Sequence, residues 1–107
     1  MAITKVEKSS HGRVLFITRH AGAHEWAERQ GLEVDEIINH LDPEQIQQGD
    51  IVIGTLPIHL VAEINRRGGR YLHLSLNVPP AYRGRELSAE DMEKFGARLE
   101  EFEVRRK

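Results

Sequence analysis

The sequence predicts a single α/β domain built around a mainly parallel sheet. Residues 14–17 and 51–53 are short, fully apolar runs rich in β-branched side chains, which is typical of strands buried on both faces. Each run is followed by a segment of helical composition, beginning near Ala21 and near Leu56. Buried strands that alternate with helices favour an α/β fold, in which ligands bind at the carboxyl ends of the strands.

The predicted elements alternate along the whole chain. In order they are a strand at 13–18, a helix at 21–30, a poorer edge strand at 32–41, a helical turn at 42–44, a strand at 51–53, a helix at 56–67, a strand at 70–76, a loop at 77–86 and a last helix from Ser88. Gly31 and the Gly68-Gly69 pair are natural stops for the first two helices. Asp42 before Pro43 is typical of a capped helical turn.

The last helix has the best marked start. Ser88 followed by Asp91 three residues later indicates a capping box, in which each side chain bonds the backbone N–H of the other residue. Apolar residues then recur at helical spacing, which predicts that the helix continues over them and packs on the sheet. These residues are Met92, Phe95, Leu99 and Phe102.

Short right-handed crossovers between these elements predict a four-stranded sheet in the order 2-1-3-4, flanked by about three helices. The strand order reverses between the first and third strands, so Thr18-Arg19-His20 should lie beside residues 54–57. Both segments lead into helices whose free N–H groups attract anions. We therefore expect a phosphate site at this edge.

Length and composition limit the function further. The 107 residues divide into a flexible arm at 1–12, one domain at 13–104 and a basic tail at 105–107. No apolar run approaches the roughly 18 residues of a membrane helix, and no secretory signal is evident, so we expect a cytoplasmic protein without membrane contact. The chain has no cysteine, which excludes thiolate metal sites, and its net charge of −2 argues against broad binding to duplex DNA.

Arg19, His20 and His59 are the candidate catalytic residues. A guanidinium binds phosphate, and an imidazole transfers protons near neutral pH. The simpler alternative is a loop arginine paired with an acid and solvent-facing histidines. His20 and His24 have the spacing of paired metal ligands, but no third ligand is evident, so no metal or other cofactor is expected.

Small polar groups and arginines near the same edge are the predicted ligand-binding residues. They are Thr18, Gly54, Thr55, Leu56, Ser75, Asn77, Arg83 and Arg85. Ser75 and Asn77 follow the fourth strand, where they could reach a ribose or a base. Thr55 has the simpler alternative role of capping the next helix.

Four segments within residues 13–104 resemble a small CRISPR-associated family of type III loci. The segments are ITRHAGAHEW, HLDPEQIQQGDIVIGTLPIHLVAEI, RYLHLSLNVPPAYRGREL and ARLEEFEV. The resemblance implies a Rossmann-like fold and ring-nuclease activity that degrades cyclic oligoadenylate, with cyclic tetra-adenylate as the expected ring. It also implies a homodimer. Chemistry and position suggest metal-independent attack by a ribose 2′-hydroxyl on the adjacent phosphate.

Two other functions stay open at the level of sequence. A sensor that binds the cyclic nucleotide without cutting it needs the same residues. The segment from Arg19 to Gly22 partly resembles the strand-end Arg-His-Gly motif of histidine phosphatases, although Ala21 displaces the glycine by one position. A phosphatase would use His20 as a nucleophile on a phosphomonoester.

Overall fold

The structure, a computed structural model, describes residues 12–107, so nearly all of the predicted arm at 1–12 lies outside the described residues. The described chain contains β1 (Val14–Ile17), α1 (Ala21–Arg29), β2 (Glu36–Ile38), β3 (Ile51–Gly54), α2 (Ile58–Arg66), β4 (Arg70–Ser75), α3 (Ala89–Lys94) and β5 (Arg98–Phe102). Single 3-10 turns precede β3 at Pro43–Gln45 and α3 at Pro80–Tyr82. Within this range, no helix has both the length and the apolarity that a membrane crossing requires.

The five strands form one mixed sheet in the order β2-β1-β3-β4-β5. The first four are parallel, which confirms the predicted order 2-1-3-4. Leu15 of β1 pairs with Glu36 on one side and with Val52 on the other, so the order reverses at β1 and β3 as expected. β2 is only three residues long, and the prediction of a strand over 32–41 was wrong in extent. Asn39 and His40 therefore follow the strand instead of continuing it.

A fifth strand replaces the second half of the predicted last helix. The capping box of Ser88 and Asp91 is present, but α3 ends at Lys94. Gly96 has a φ of 73°, a conformation that glycine adopts readily, and the Ala97 N–H bonds the Met92 carbonyl at 2.9 Å. The chain then turns back as β5, antiparallel to β4. The predictions of four strands and of a helix through Phe102 were therefore wrong.

The same apolar residues still reach the core by this different route. Leu99 of β5 packs in one cluster with Met92 and Phe95, and it pairs with Leu74 of β4. Phe102 does not join them. Its side chain is 47% exposed, and its ring lies edge-on to the His73 ring at a centroid distance of 5.8 Å.

The consecutive apolar residues of β1 serve two cores, one on each face of the sheet. Val14 and Phe16 pack under α1 and α3, whereas Leu15 and Ile17 pack under α2. Each of the four is at most 8% exposed. Burial on both faces explains the absence of polar residues in the run, and it fixes the end of β1 firmly.

An ion pair between the buried Asp50 and the partly exposed Arg13 secures the opposite edge of the sheet. Asp50 is fully buried just before β3 and accepts hydrogen bonds from the Arg13 guanidinium at 2.9 Å and from the Gln47 N–H at 2.9 Å. Burial alone would raise the pKa of Asp50, but the hydrogen bonds from Arg13 and Gln47 hold that pKa below its usual value. Asp50 lies at the amino edge of the sheet, so its role is structural.

Candidate functional site

Two clefts flank the carboxyl end of β1. The first cleft, of about 630 Å³, lies between the turn from β1 to α1 and the segment 76–87. The second cleft, of about 400 Å³, lies among the ends of β1, β2 and β3. Arg19 and His20 line both clefts. The two side chains predicted to carry the chemistry therefore occupy the ridge between two cavities at the switch point of the sheet.

The backbone around Arg19 and His20 is fixed by hydrogen bonds on both sides. The Thr18 N–H bonds the Ile38 carbonyl at 3.0 Å, which extends the pairing of β1 with β2 by one residue. The Thr18 hydroxyl accepts from the His20 N–H at 3.1 Å, and the His20 carbonyl accepts from the Ala23 N–H at the start of α1. Arg19 and His20 are exposed, so a rigid backbone presents both side chains to solvent.

A buried phenol holds the loop that forms the wall of the second cleft. The Tyr71 hydroxyl donates to the Gly54 carbonyl at 2.9 Å and accepts from the Leu56 N–H at 2.9 Å. It also lies 2.7 Å from Nδ1 of His73. Burial raises the pKa of Tyr71, although the hydrogen bond from Leu56 opposes that shift. One neutral phenol thus joins the end of β3 to the start of α2.

Thr55 lines the second cleft and does not cap the helix that follows it. Thr55 and Leu56 both line this cleft. Pro57, not Thr55, occupies the cap position just before Ile58, the first residue of α2, and no side chain caps that helix. The simpler role of Thr55 as a helix cap is therefore wrong, and its exposed side chain faces the same cavity as Arg19.

The first cleft is walled by the loop before α3. The Tyr82 ring lies edge-on to Phe95 at a centroid distance of 4.9 Å, and the Arg85 guanidinium lies over the Tyr82 ring, 5.2 Å from its centroid. Glu86 accepts from the Ala21 N–H at 3.3 Å, so a carboxylate occupies the amino end of α1. The phosphate site expected at this helix end already holds an internal anion.

A close backbone contact fixes this loop against α1. A Cβ atom on Gly22 would lie 2.2 Å from the Leu87 carbonyl oxygen and 2.7 Å from the Ser88 carbonyl carbon. No side chain larger than hydrogen fits between these backbones without a shift. Gly22 therefore lets α1 pack directly against the backbone of Leu87 and Ser88, which holds the loop that lines the first cleft.

The structure brings most of the predicted site residues together. Thr18, Arg19, His20, Thr55 and Leu56 line the second cleft, and Arg83 and Arg85 join Arg19 and His20 in the first.

Four of the predicted site residues line neither of these clefts. Gly54 is buried and contributes its carbonyl to Tyr71. His59 is exposed in the first turn of α2. Ser75 ends β4, and the Asn77 N–H bonds the Phe95 carbonyl at 2.9 Å.

Several residues of the clefts escaped prediction. Asn39 and His40 line the second cleft directly after β2, where the strand-end rule that identified Arg19 would have found them had β2 been predicted at its true length. Tyr82 and Glu86 line the first cleft. They lie in a proline-bearing loop without periodicity, and no sequence signal places them beside α1.

The charged and metal-binding side chains that line the clefts are mainly arginines and histidines. Among the described residues, no three histidine, aspartate or glutamate side chains lie close enough together to bind one metal ion. Nε2 of His24, the residue considered as a metal partner of His20, is 3.5 Å from the Glu28 carboxylate on the same helix. Arg19, Arg83 and Arg85 supply the positive charge of the first cleft, and the Glu86 carboxylate lines the same cleft.

Comparison with models of known protein families gave a match. A family model described as "Putative CRISPR-associated protein (Cas_VVA1548)" matches residues 15–105, which include both clefts and every candidate site residue. Searches of curated proteins and of solved structures gave no match.

Proposed function

The chain belongs to this family of CRISPR-associated proteins, and on that premise we propose that it is a ring nuclease. It binds cyclic oligoadenylate, cyclic tetra-adenylate above all, and cleaves it without a metal ion, which switches off type III antiviral signalling. The observation that carries the proposal is the position of Arg19 and His20, which line two adjoining clefts at the end of a buried strand. An arginine and a histidine in this place suit an in-line reaction at phosphorus.

The reaction is an internal transesterification. The ribose 2′-oxygen attacks the adjacent phosphorus, and the bond from phosphorus to the 5′-oxygen breaks. The 2′-hydroxyl gives up its proton and the leaving 5′-oxygen gains one, so the products are a 2′,3′-cyclic phosphate and a free 5′-hydroxyl, and no water is consumed. Catalysis then depends mainly on holding the 2′-oxygen in line and on stabilising the charge that grows on the phosphate.

Arg19 and His20 have distinct roles in this proposal. The Arg19 guanidinium binds the non-bridging phosphate oxygens, which carry more negative charge in the transition state than in the ground state. His20 transfers a proton to the leaving 5′-oxygen or orients the 2′-hydroxyl. Groups in such a role typically contribute roughly 100- to 10,000-fold to the rate.

The four parallel strands form a Rossmann-like core in this proposal, with the ligand at its switch point. A ring of four nucleotides has an approximate two-fold symmetry and exceeds the strand edge of one 107-residue chain. Two copies of the chain would place two Arg19-His20 pairs against one ring. We therefore propose a two-fold homodimer as the active form, and its mass in solution with bound ligand tests this part directly.

Single-turnover cleavage of labelled cyclic tetra-adenylate separates the proposed roles. Arg19→Ala should lower both affinity and rate. His20→Ala should lower the rate by roughly 100-fold or more while affinity stays nearly unchanged. His59→Ala is the matched control because His59 is exposed on α2 outside both clefts, and we expect at most a few-fold change. Rates that change by only a few-fold in both histidine variants would refute acid–base catalysis by histidine.

The same incubation distinguishes the two rival functions. Retention of intact cyclic tetra-adenylate without linear products would identify a sensor. Trapped phosphohistidine, or hydrolysis of a phosphomonoester, would identify a phosphatase, because a cyclic diester offers no monoester before the ring opens. Loss of cleavage with chelator and its return with a divalent ion would refute the metal-independent mechanism.

A further inference from the structure

We infer that the first cleft contains a nucleobase subsite, in which a purine base stacks on Tyr82 beneath the Arg85 guanidinium. The inference rests on the proposed function for the class of ligand, an adenylate, and adds where its base binds. The argument depends on the rigidity of Tyr82, the apolar walls around it, the position of Arg85 and the distribution of charge along the cleft.

Tyr82 is held in place before any ligand arrives. It ends the turn Pro80–Tyr82, where its N–H bonds the Pro79 carbonyl at 2.9 Å. Its ring packs edge-on against Phe95, which is 7% exposed and belongs to the core. An aromatic ring fixed in this way offers a stacking surface that loses little side-chain entropy on binding.

The walls around Tyr82 are apolar, whereas the rim carries three arginines and the Glu86 carboxylate. Leu76, Val78 and Leu87 line the same cleft, and Leu87 is 6% exposed. The volume of about 630 Å³ lies within the range of small-molecule sites. A flat heteroaromatic base would cover these apolar walls with its two faces. A phosphate or a sugar alone has no such apolar faces.

Arg85 marks the face of Tyr82 on which the base would stack. Its guanidinium lies over the ring at 5.2 Å from the centroid, and the residue is exposed, so the side chain can move outward. Proteins stack unpaired bases on aromatic rings and on arginine guanidinium planes. A base that stacks on Tyr82 would replace the contact between Arg85 and Tyr82 with two contacts of its own, one with the Tyr82 ring and one with the Arg85 guanidinium.

The cleft also has the right order of groups for a nucleotide. Arg19 and His20 line it at the end nearest β1, so a phosphate at these residues and a base at Tyr82 occupy one continuous cavity. The sugar would lie between them. This arrangement assigns the base to the first cleft and leaves the second cleft for the neighbouring phosphate and ribose of the ring.

Binding of adenosine 5′-monophosphate and of ribose 5-phosphate isolates the subsite, because the two probes share phosphate and ribose and differ in the base. Isothermal titration should give the wild-type protein a preference for the base-bearing probe of roughly 5- to 150-fold, the usual worth of one stacked base. Tyr82→Phe keeps the ring and should keep the preference. Tyr82→Leu should bring the ratio close to one without changing the affinity for ribose 5-phosphate.

A second variant tests the subsite independently, in case Tyr82→Leu does not fold. Arg85→Ala alters an exposed side chain, and it should weaken binding of adenosine 5′-monophosphate by a several-fold larger factor than binding of ribose 5-phosphate, because the base loses a stacking partner while both probes lose one positive charge. Equal binding of the two probes by wild-type protein, binding of neither at millimolar concentration, or an unchanged ratio in Tyr82→Leu would overturn the subsite. Base-dependent binding without any cleavage of cyclic tetra-adenylate would instead refute the ring nuclease and leave the subsite standing.

Discussion

Replacement of Tyr71 by phenylalanine should loosen the second cleft at a cost that follows from the structure. The ring is 1% exposed, and phenylalanine keeps its packing, so the variant removes only the hydroxyl. The Leu56 N–H and the Gly54 carbonyl each lose a partner at 2.9 Å, and Nδ1 of the half-buried His73 loses one at 2.7 Å. A group left without a partner in a buried site costs roughly 1–3 kcal/mol. Water can replace the hydroxyl at His73, so the two backbone groups should account for a cost of about 3 kcal/mol in free energy of unfolding.

Urea denaturation followed by the fluorescence of Trp26, which is 1% exposed, measures this change. With a slope of about 1.5 kcal/mol per molar urea, the midpoint should fall by roughly 2 M. Tyr82→Phe is the matched control, because the Tyr82 hydroxyl has no hydrogen bond with any of residues 12–107, and its midpoint should hardly move. A loss below about 0.5 kcal/mol in Tyr71→Phe would refute the claim that this phenol holds the loop.

Three further predictions concern the loop before α3 and the surface of α2. Gly22→Ala should destabilise the fold by about 1–3 kcal/mol in urea, because its Cβ atom would lie 2.2 Å from the Leu87 carbonyl oxygen, and a neutral result would contradict the close packing. Hydrogen bonds from Arg66 and Arg67, at the end of α2, lower the pKa of Glu63 to about 2, so its stabilising effect should be complete above pH 4.5 and disappear as the pH falls towards 2. Glu63→Gln should flatten the dependence of the urea midpoint on pH in this window, and an unchanged slope would contradict the ion pairs. Glu86→Gln should tighten pyrophosphate binding in calorimetry, because a neutral amide competes less with phosphate at α1, whereas weaker binding would show that Glu86 assists the ligand.

The parallel part of the fold was predictable because its strands are buried on both faces. Such strands leave an uninterrupted apolar run in the sequence, as at 14–17 and 51–53, and the crossover rule then fixes their order. The same pattern predicted where β1 ends, and therefore that Arg19 and His20 lie at the end of this strand. This half of the candidate site depends on local sequence and on topology alone.

The fifth strand was not predictable from periodicity. The spacing of Met92, Phe95 and Leu99 fits a helix, yet these side chains reach one cluster from α3 and from β5 on either side of a turn. The signal was Gly96, whose positive φ ends the helix. The free edge of β4 then favours a strand, because β5 satisfies its backbone groups.

The walls of the first cleft depend on contacts between distant parts of the chain. Arg83 and Arg85 were identified as cations beside a glycine, but nothing local showed that Glu86 would bond the Ala21 N–H. The hydrogen bond between Glu86 and Ala21 also depends on Gly22, which has no side chain and so lets the Leu87 backbone lie against α1. Sequence separations of about 65 residues carry no periodic signal, so this half of the site required the structure.

Analysis of the products of cyclic tetra-adenylate is the most direct test of the central claim. Purified protein is incubated with the ring in excess chelator, and the products are identified by mass spectrometry. We predict linear adenylates with a 2′,3′-cyclic phosphate at one end and a 5′-hydroxyl at the other, in a yield that falls sharply in His20→Ala. An intact ring, or products with a 5′-phosphate, would contradict the account.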